Sequence, residues 1–253
     1  MPRSLSSPSR FGIMNSEKIH CGNGEANMKT VIAFSGGKDS TLALHKIQQD
    51  PAFEVDSLLV TLTEGFDRVS IHGVRYKMLK QQSESLGIPL REVWIPQDCP
   101  NEVYQERMGN AVSGMLDDGI THMVFGDIHL ADVRAYREEM LEGTGITPVF
   151  PLWGREVGEL GREFINLGFK TVLTCIDLEQ LDRSFAGRVY DKDFLQDYPE
   201  KCDVCGENGE FHTFVFDGPN FGFPIGYELG EERVAPDVRT GRDRFLFRDV
   251  VPK

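Results

Sequence analysis

From residue 28 onward, hydrophobic and polar positions alternate in blocks that predict strands and helices in turn. Thr30-Val31-Ile32-Ala33-Phe34 is a short apolar, β-branched run that reads as a buried strand, and Thr41 to Ile47 follows with helical spacing. Ser57 to Leu62 reads as a strand, and Val74 to Leu86 as an amphipathic helix ending at Gly87. Leu90 to Ile95 is a strand closed by Pro96, Glu102 to Leu116 a helix closed near Gly119, and His122 to Phe125 a strand. Ala131 to Leu141 and Val157 to Leu167 read as helices, with Thr171 to Ile176 as a further strand. Such alternation predicts an α/β fold built on a doubly wound, Rossmann-like parallel sheet. After about residue 180 the alternation fails. Phe211 to Phe216, Ile225 to Leu229 and Arg244 to Val250 lie among loops rich in Asp, Gly and Pro and predict a smaller antiparallel α+β cap. The expected organisation is an extension over 1–28, a main unit over 29–178 and a smaller C-terminal unit over 179–253.

The extension differs from the rest in kind. Met1 to Asn27 is rich in Ser, Pro, Gly and Asn, has no periodicity, and lacks the long apolar core of a signal peptide. It reads as disordered, and both Met14 and Met28 can serve as start sites. Over all 253 residues, 40% apolar and 26% charged content fits a globular protein and excludes wholesale disorder. No stretch approaches the roughly 18 apolar residues of a membrane span. A net charge of −13 repels phosphate backbones and argues against nucleic acid as a partner. Five cysteines read as thiols in a reducing, cytoplasmic compartment rather than as a disulfide framework.

The chemistry begins at Ser35-Gly36-Gly37-Lys38-Asp39-Ser40, between the first strand and the first helix. In an open α/β sheet, ligands sit at the carboxyl ends of strands, where helix N-termini present free N–H groups. Adjacent glycines let the backbone approach an anion, Lys38 adds a point charge, and Ser35 and Ser40 add hydroxyls. A phosphate or pyrophosphate is the expected ligand. The loop is not a Walker A sequence, because Asp39 follows Lys38 and Ile32 stands where its first glycine belongs; the dinucleotide fingerprint is absent too.

Two later motifs join it. Gly126 to Glu138 follows a strand and opens a helix, with Asp132 placed as N-cap or first-turn acid and with Arg134 and Glu138 on one helix face. Thr147 to Gly154 is a proline-punctuated aromatic segment that reads as a buried linker. Cys202 to Thr213 carries Glu207 and Glu210 among glycines, a pair that can bind an amine or a metal or act as general acid and base. Cys202 and Cys205 form a lone C-x-x-C without a second pair at zinc spacing, and read as ordinary thiols, with redox chemistry or zinc as the alternatives.

Ser35 to Ser40 resembles the signature of the PP-loop ATP pyrophosphatases, the N-type adenine nucleotide α-hydrolase superfamily. Together with Gly126 to Glu138, Pro151 to Trp153 and Gly206 to Thr213, it resembles the diphthine–ammonia ligase family, also called the ATP-binding DUF71 family. Asn208 and His212 depart from the eukaryotic form of the last motif and look more like bacterial members. The resemblance implies that 29–178 is a PP-loop ATP-binding domain. It implies ATP and Mg2+, with Ser35, Gly36, Gly37, Lys38, Asp39, Ser40, Thr61, His72, Gly126, Asp127, Arg134 and Arg137 around the nucleotide. Lys38, Asp39, Glu207 and Glu210 are the expected catalytic residues, with Asp39 also at the metal.

The implied reaction adenylates a carboxylate, releases pyrophosphate, and lets ammonia or an amine form an amide. The acceptor is a protein side chain or a small molecule, and a homodimer stays open. A tRNA-thiolating PP-loop enzyme and a non-catalytic adenine-nucleotide sensor are the alternatives.

Overall fold

The computed structural model describes residues 27–65, 68, 73–237 and 240–253. Most of the expected extension and the candidate His72 lie outside them. Five strands form the first sheet: β1 (Met28–Ala33), β2 (Phe53–Thr63), β3 (Leu90–Ile95), β4 (His122–Val124) and β5 (Thr147–Val149). Their order is β3-β2-β1-β4-β5 and every pairing is parallel. The connections are α1 (Lys38–Gln48), α2 (Tyr76–Leu86), α3 (Asn101–Asp117) and α4 (Ala131–Leu141). α2 stops where expected, because Gly87 takes the left-handed conformation (φ 68°) that closes a helix without a Cβ penalty.

Period-two alternation explains why helices cover both faces. Val31 and Leu59 point to one side and pack with Met108, Val112 and Met115 of α3. Ile32, Leu58, Val60 and Leu62 point to the other and pack with Leu42 and Leu44 of α1 and Met78 and Leu79 of α2. Each such side chain, fully buried, contributes about 1.5–3 kcal/mol.

Beyond α5 (Val157–Asn166), the chain builds a second sheet of β6 (Lys170–Asp177), β7 (Phe211–Asp217), β8 (Tyr227–Pro236) and β9 (Asp243–Pro252), with the short helix α6 (Lys192–Asp197) between β6 and β7. Its order is β7-β6-β9-β8 and its pairings are antiparallel. Val172, Leu173, Ile176, Phe214 and Leu246 of this sheet belong to the same buried cluster as α1 and α2. The second sheet therefore covers the α1–α2 side, with α1 against β7 and α2 against β9.

Two expectations need correction. Thr171 to Ile176, read as a continuation of the parallel alternation, sits in the antiparallel sheet between β7 and β9. From Thr171 on, every residue of β6 is buried, and burial on both faces gives the same continuous apolar run in either kind of sheet. Thr147 to Val149, read as part of a linker, is the edge strand β5, where Pro148 is tolerated because an edge does not need every N–H.

Candidate functional site

Strand order places the site. The chain runs from β1 outward to β2 and β3 and then crosses back to β4 on β1's other side, so the carboxyl ends of β1 and β4 flank a crevice at the switch point. The loop after β1 turns sharply into α1 through Gly36, whose φ is +79°. A Cβ there would fall 2.5 Å from Gln82 Oε1. Gly126, just after β4, presses on the first turn of α1: a Cβ would fall 2.9 Å from Asp39 C and Ser40 N. Glycine is required at both positions by close approach.

The second sheet holds this loop in place. The Lys38 N–H donates to Thr213 Oγ1 (3.0 Å) and the Val215 N–H to the Gly36 carbonyl (3.0 Å). Gln82 of α2, wholly buried, donates from Nε2 to the Gly36 (2.9 Å) and Val215 (2.6 Å) carbonyls. Within the loop, the Gly37 N–H donates to Ser35 Oγ (3.3 Å), and Ser40 Oγ donates to the Gly37 carbonyl (3.1 Å). The two serine hydroxyls thus brace the turn into α1.

A cleft of about 290 Å³ opens here, lined by Ser35, Gly37, Lys38, Asp39 and Ser40, by Gly126, Asp127 and Arg137, and by Cys205, Glu207, His212 and Thr213. The Lys38 side chain is only 4% exposed, and its Nζ lies 2.6 Å from Asp39 Oδ1. Burial alone would lower its pKa, but the Asp39 and Glu207 carboxylates outweigh burial and hold the ammonium above its ordinary value. Burial pushes Asp39 up, against the pull of Lys38. It likewise raises Asp127, against Arg137, whose Nε lies 3.6 Å away. Burial raises Glu207 too, although its Oε1 accepts the Ile128 N–H at 2.8 Å. Burial also drives His212 down to about 4, so it lines the cleft as a neutral ring.

The cleft gathers most of the expected residues, but not all. Thr61 lies within β2, half-buried and away from the lining. Arg134 lies outside the lining, with its guanidinium 4.8 Å from the Phe150 ring centre, 4.7 Å from that of Trp153, and bonded to Glu138. Glu210 is buried behind the cleft, where its Oε1 accepts the Asp203 N–H (2.9 Å). Asp132 lies in the first turn of α4, whose N-cap is Leu130. Cys202 and Cys205 donate to different carbonyls, those of Gln180 and Val157, and burial pushes Cys205 up to about 12.

Sequence reasoning passed over Gln82, a lone polar residue inside an amphipathic helix, and the pair His129–Asp203. His129 Nε2 lies 2.6 Å from Asp203 Oδ2, tying the loop after β4 to the Cys202–Gly206 turn. Both sit inside motifs already marked, so position beside Asp127 and Cys205 was the available signal. Among the described residues no cluster of three or more His, Cys, Asp and Glu side chains could hold a metal.

Two family models cover most of the chain. Residues 28–148 match the diphthamide synthase N-terminal domain and residues 156–237 the diphthamide synthase C-terminal domain. The chain belongs to the diphthamide synthase family. Membership makes it one of a family of ATP-using PP-loop enzymes. No curated protein matches the chain. Among solved structures, a predicted subunit of a tRNA methyltransferase from Methanocaldococcus jannaschii is similar at 16% identity, with a TM-score of 0.37 over 61% of this chain and 80% of that one. Among the described residues no helix is long and apolar enough to cross a membrane.

Proposed function

We propose that this diphthamide synthase family member is an ATP-dependent amide ligase of the diphthine–ammonia ligase kind. A substrate carboxylate oxygen attacks the α-phosphorus of ATP, the α–β bridging bond breaks, and pyrophosphate leaves. Ammonia then attacks the acyl carbon of the resulting acyl-adenylate, the bond to AMP breaks, an amide forms, and one proton goes to solvent.

The observation that carries this reading is the buried Lys38 ammonium at the N-terminus of α1, in a cleft lined by the Ser35–Ser40 loop. Charge building on the departing pyrophosphate meets preorganised donors there, and a low-dielectric setting strengthens each of them. Arg137 adds a second cation at the wall, 5.3 Å from the centre of the Phe125 ring.

Mg2+ suits this setting as an ion that travels with ATP. Asp39 and Asp127 are carboxylates that burial strains, and a cation relieves such strain. One or two carboxylates with phosphate oxygens are the usual Mg2+ environment. Glu207, which lines the same cleft, is our choice for the acceptor or amine end.

The test compares wild type and Lys38→Ala in ATP-dependent pyrophosphate release, with ammonium and a diphthine-bearing elongation factor. The variant is expected to lose at least about 100-fold, as for removal of a key charge-stabilising donor. Turnover like wild type would contradict the assignment.

A further inference from the structure

A second cavity, of about 170 Å³, lies where the segment leading into α2 meets the β8–β9 hairpin. Arg68, Arg75 and Arg233 line it, with Thr174, Glu231 and Asp249. Asp249 is the one carboxylate at its base: its side chain is 14% exposed and takes both Arg68 Nη1 (2.8 Å) and Arg75 Nη2 (2.6 Å). Burial would raise the Asp249 pKa, but hydrogen bonds from Arg75 and Arg68 win and hold it at about 2, the mark of a positive local field.

Arg233 stands over the Phe247 ring at 5.4 Å and has no carboxylate partner among the described residues. The pocket is also built rather than incidental. Arg68 Nη1 donates to the Gly73 carbonyl (2.7 Å), and a Cβ on Gly73 would fall 2.8 Å from Phe247 Cδ1, so Gly73 itself packs tightly on the sheet. On a chain of net charge −13, four arginines (Arg68, Arg75, Arg233 and Arg248, the last paired with Glu232) line the pocket against two carboxylates, Asp249 and Glu231, a local excess of positive charge. Guanidinium forks match carboxylate and phosphate oxygens, and their mutual repulsion falls when such a group sits among them.

This pocket shares a wall with the ATP cleft. Thr174 Oγ1 donates to the His212 carbonyl at 3.3 Å; Thr174 lines the arginine pocket and His212 lines the cleft. The pocket also adjoins the segment that follows β2, whose carboxyl end is on the same rim as the Ser35–Ser40 loop.

We propose that the Arg68–Arg75–Arg233 pocket binds an oxyanion, the carboxylate or phosphate of the acceptor, on the far side of the β6–β7 wall from ATP. As an acceptor subsite it rests on the ligase reading above; as an anion site it does not.

Arginine side-chain NMR of the full chain, titrated separately with inorganic phosphate and with succinate, tests it. Saturable shifts at the Arg75 and Arg233 Nε–Hε signals are expected with at least one probe, and the better probe tells a phosphoryl source from a carboxylate source. Arg233→Gln should weaken that binding about tenfold, the loss of one charge-assisted pair. Glu231→Gln, which removes a repelling carboxylate, should tighten it, and Lys38→Ala should leave it unchanged. Both Arg233 and Glu231 are exposed, so the fold survives either change. Shifts that never saturate with either probe, that ignore both Arg233→Gln and Glu231→Gln, or that vanish with Lys38→Ala would overturn the proposal. Should Lys38→Ala keep full pyrophosphate release, the ligase reading fails while this titration still reads the pocket.

Discussion

The two sheets make unlike contributions to one cleft. The parallel sheet offers what a polyanion needs: a turn at Gly36, the N-terminus of α1 and the Lys38 ammonium, all at the carboxyl ends of β1 and β4. The antiparallel sheet and the turn before it offer Thr213 and Val215, which grip the backbone of that loop, and Glu207, which lines the same cleft. Neither half is a site alone. A phosphate loop gains its fixed shape from hydrogen bonds made by residues some 175 positions away, such as Thr213 to Lys38. Preorganisation of the loop is thus a tertiary property, even though the loop sequence is local.

The sharpest way to break the parallel half is Gly36→Ala. It forces a side chain into a left-handed turn and a Cβ to within 2.5 Å of Gln82 Oε1. A loss of about 2–4 kcal/mol is expected from strain plus overpacking, read as a lower urea midpoint at unchanged slope. A midpoint like wild type would mean that the loop is not fixed by the packing described.

Next in size is the joint between the halves. Gln82→Leu removes the Nε2 donor from the Gly36 and Val215 carbonyls, with a similar volume left behind. The Gly36 carbonyl keeps the Val215 N–H, so the cost falls mainly on the Val215 carbonyl and comes to about 1–3 kcal/mol. ATP affinity, measured by calorimetry, should fall together with stability; a stability loss at unchanged affinity would separate the joint from the site.

The smallest effect has the opposite sign. Burial lifts Glu207 above its ordinary value of 4.5, so above that pH the native state keeps a proton that the unfolded chain has lost. Stability therefore falls as pH rises through that window. Glu207→Gln keeps an oxygen for the Ile128 N–H and removes the titration. The variant should melt higher than wild type at neutral pH, with the gain fading below pH 4.5, while pyrophosphate release drops. A melting gain that persists in acid would assign it to packing rather than to charge.

Much of this was legible in the chain, and the limits are physical. β3 and α4 fall on the predicted residues, Leu90–Ile95 and Ala131–Leu141, because each has a full period and clear stops. β5 was not legible, since three residues including Pro148 show no period. β6 was legible as a strand but not as an antiparallel one, because its two partners lie downstream at Phe211–Asp217 and Asp243–Pro252. The loop Ser35–Ser40 announced its chemistry through residue types. Glu207 and Glu210, three apart, gave no sign that one faces the cleft and the other is buried behind it holding the Asp203 amide. Arg134 and Arg137, neighbours on one helix, divided by their partners: Arg134 is held by Phe150, Trp153 and Glu138, and Arg137 lines the cleft beside Asp127. Spacing marks a shared motif; only the fold decides which member reaches the ligand.

On the proposed function, this cleft breaks ATP between its α and β phosphates. Phosphorus NMR of wild-type turnover with ATP, Mg2+, ammonium and a diphthine-bearing elongation factor reads it directly. AMP and pyrophosphate in equal amounts are the expected products, and ADP with orthophosphate would contradict the account.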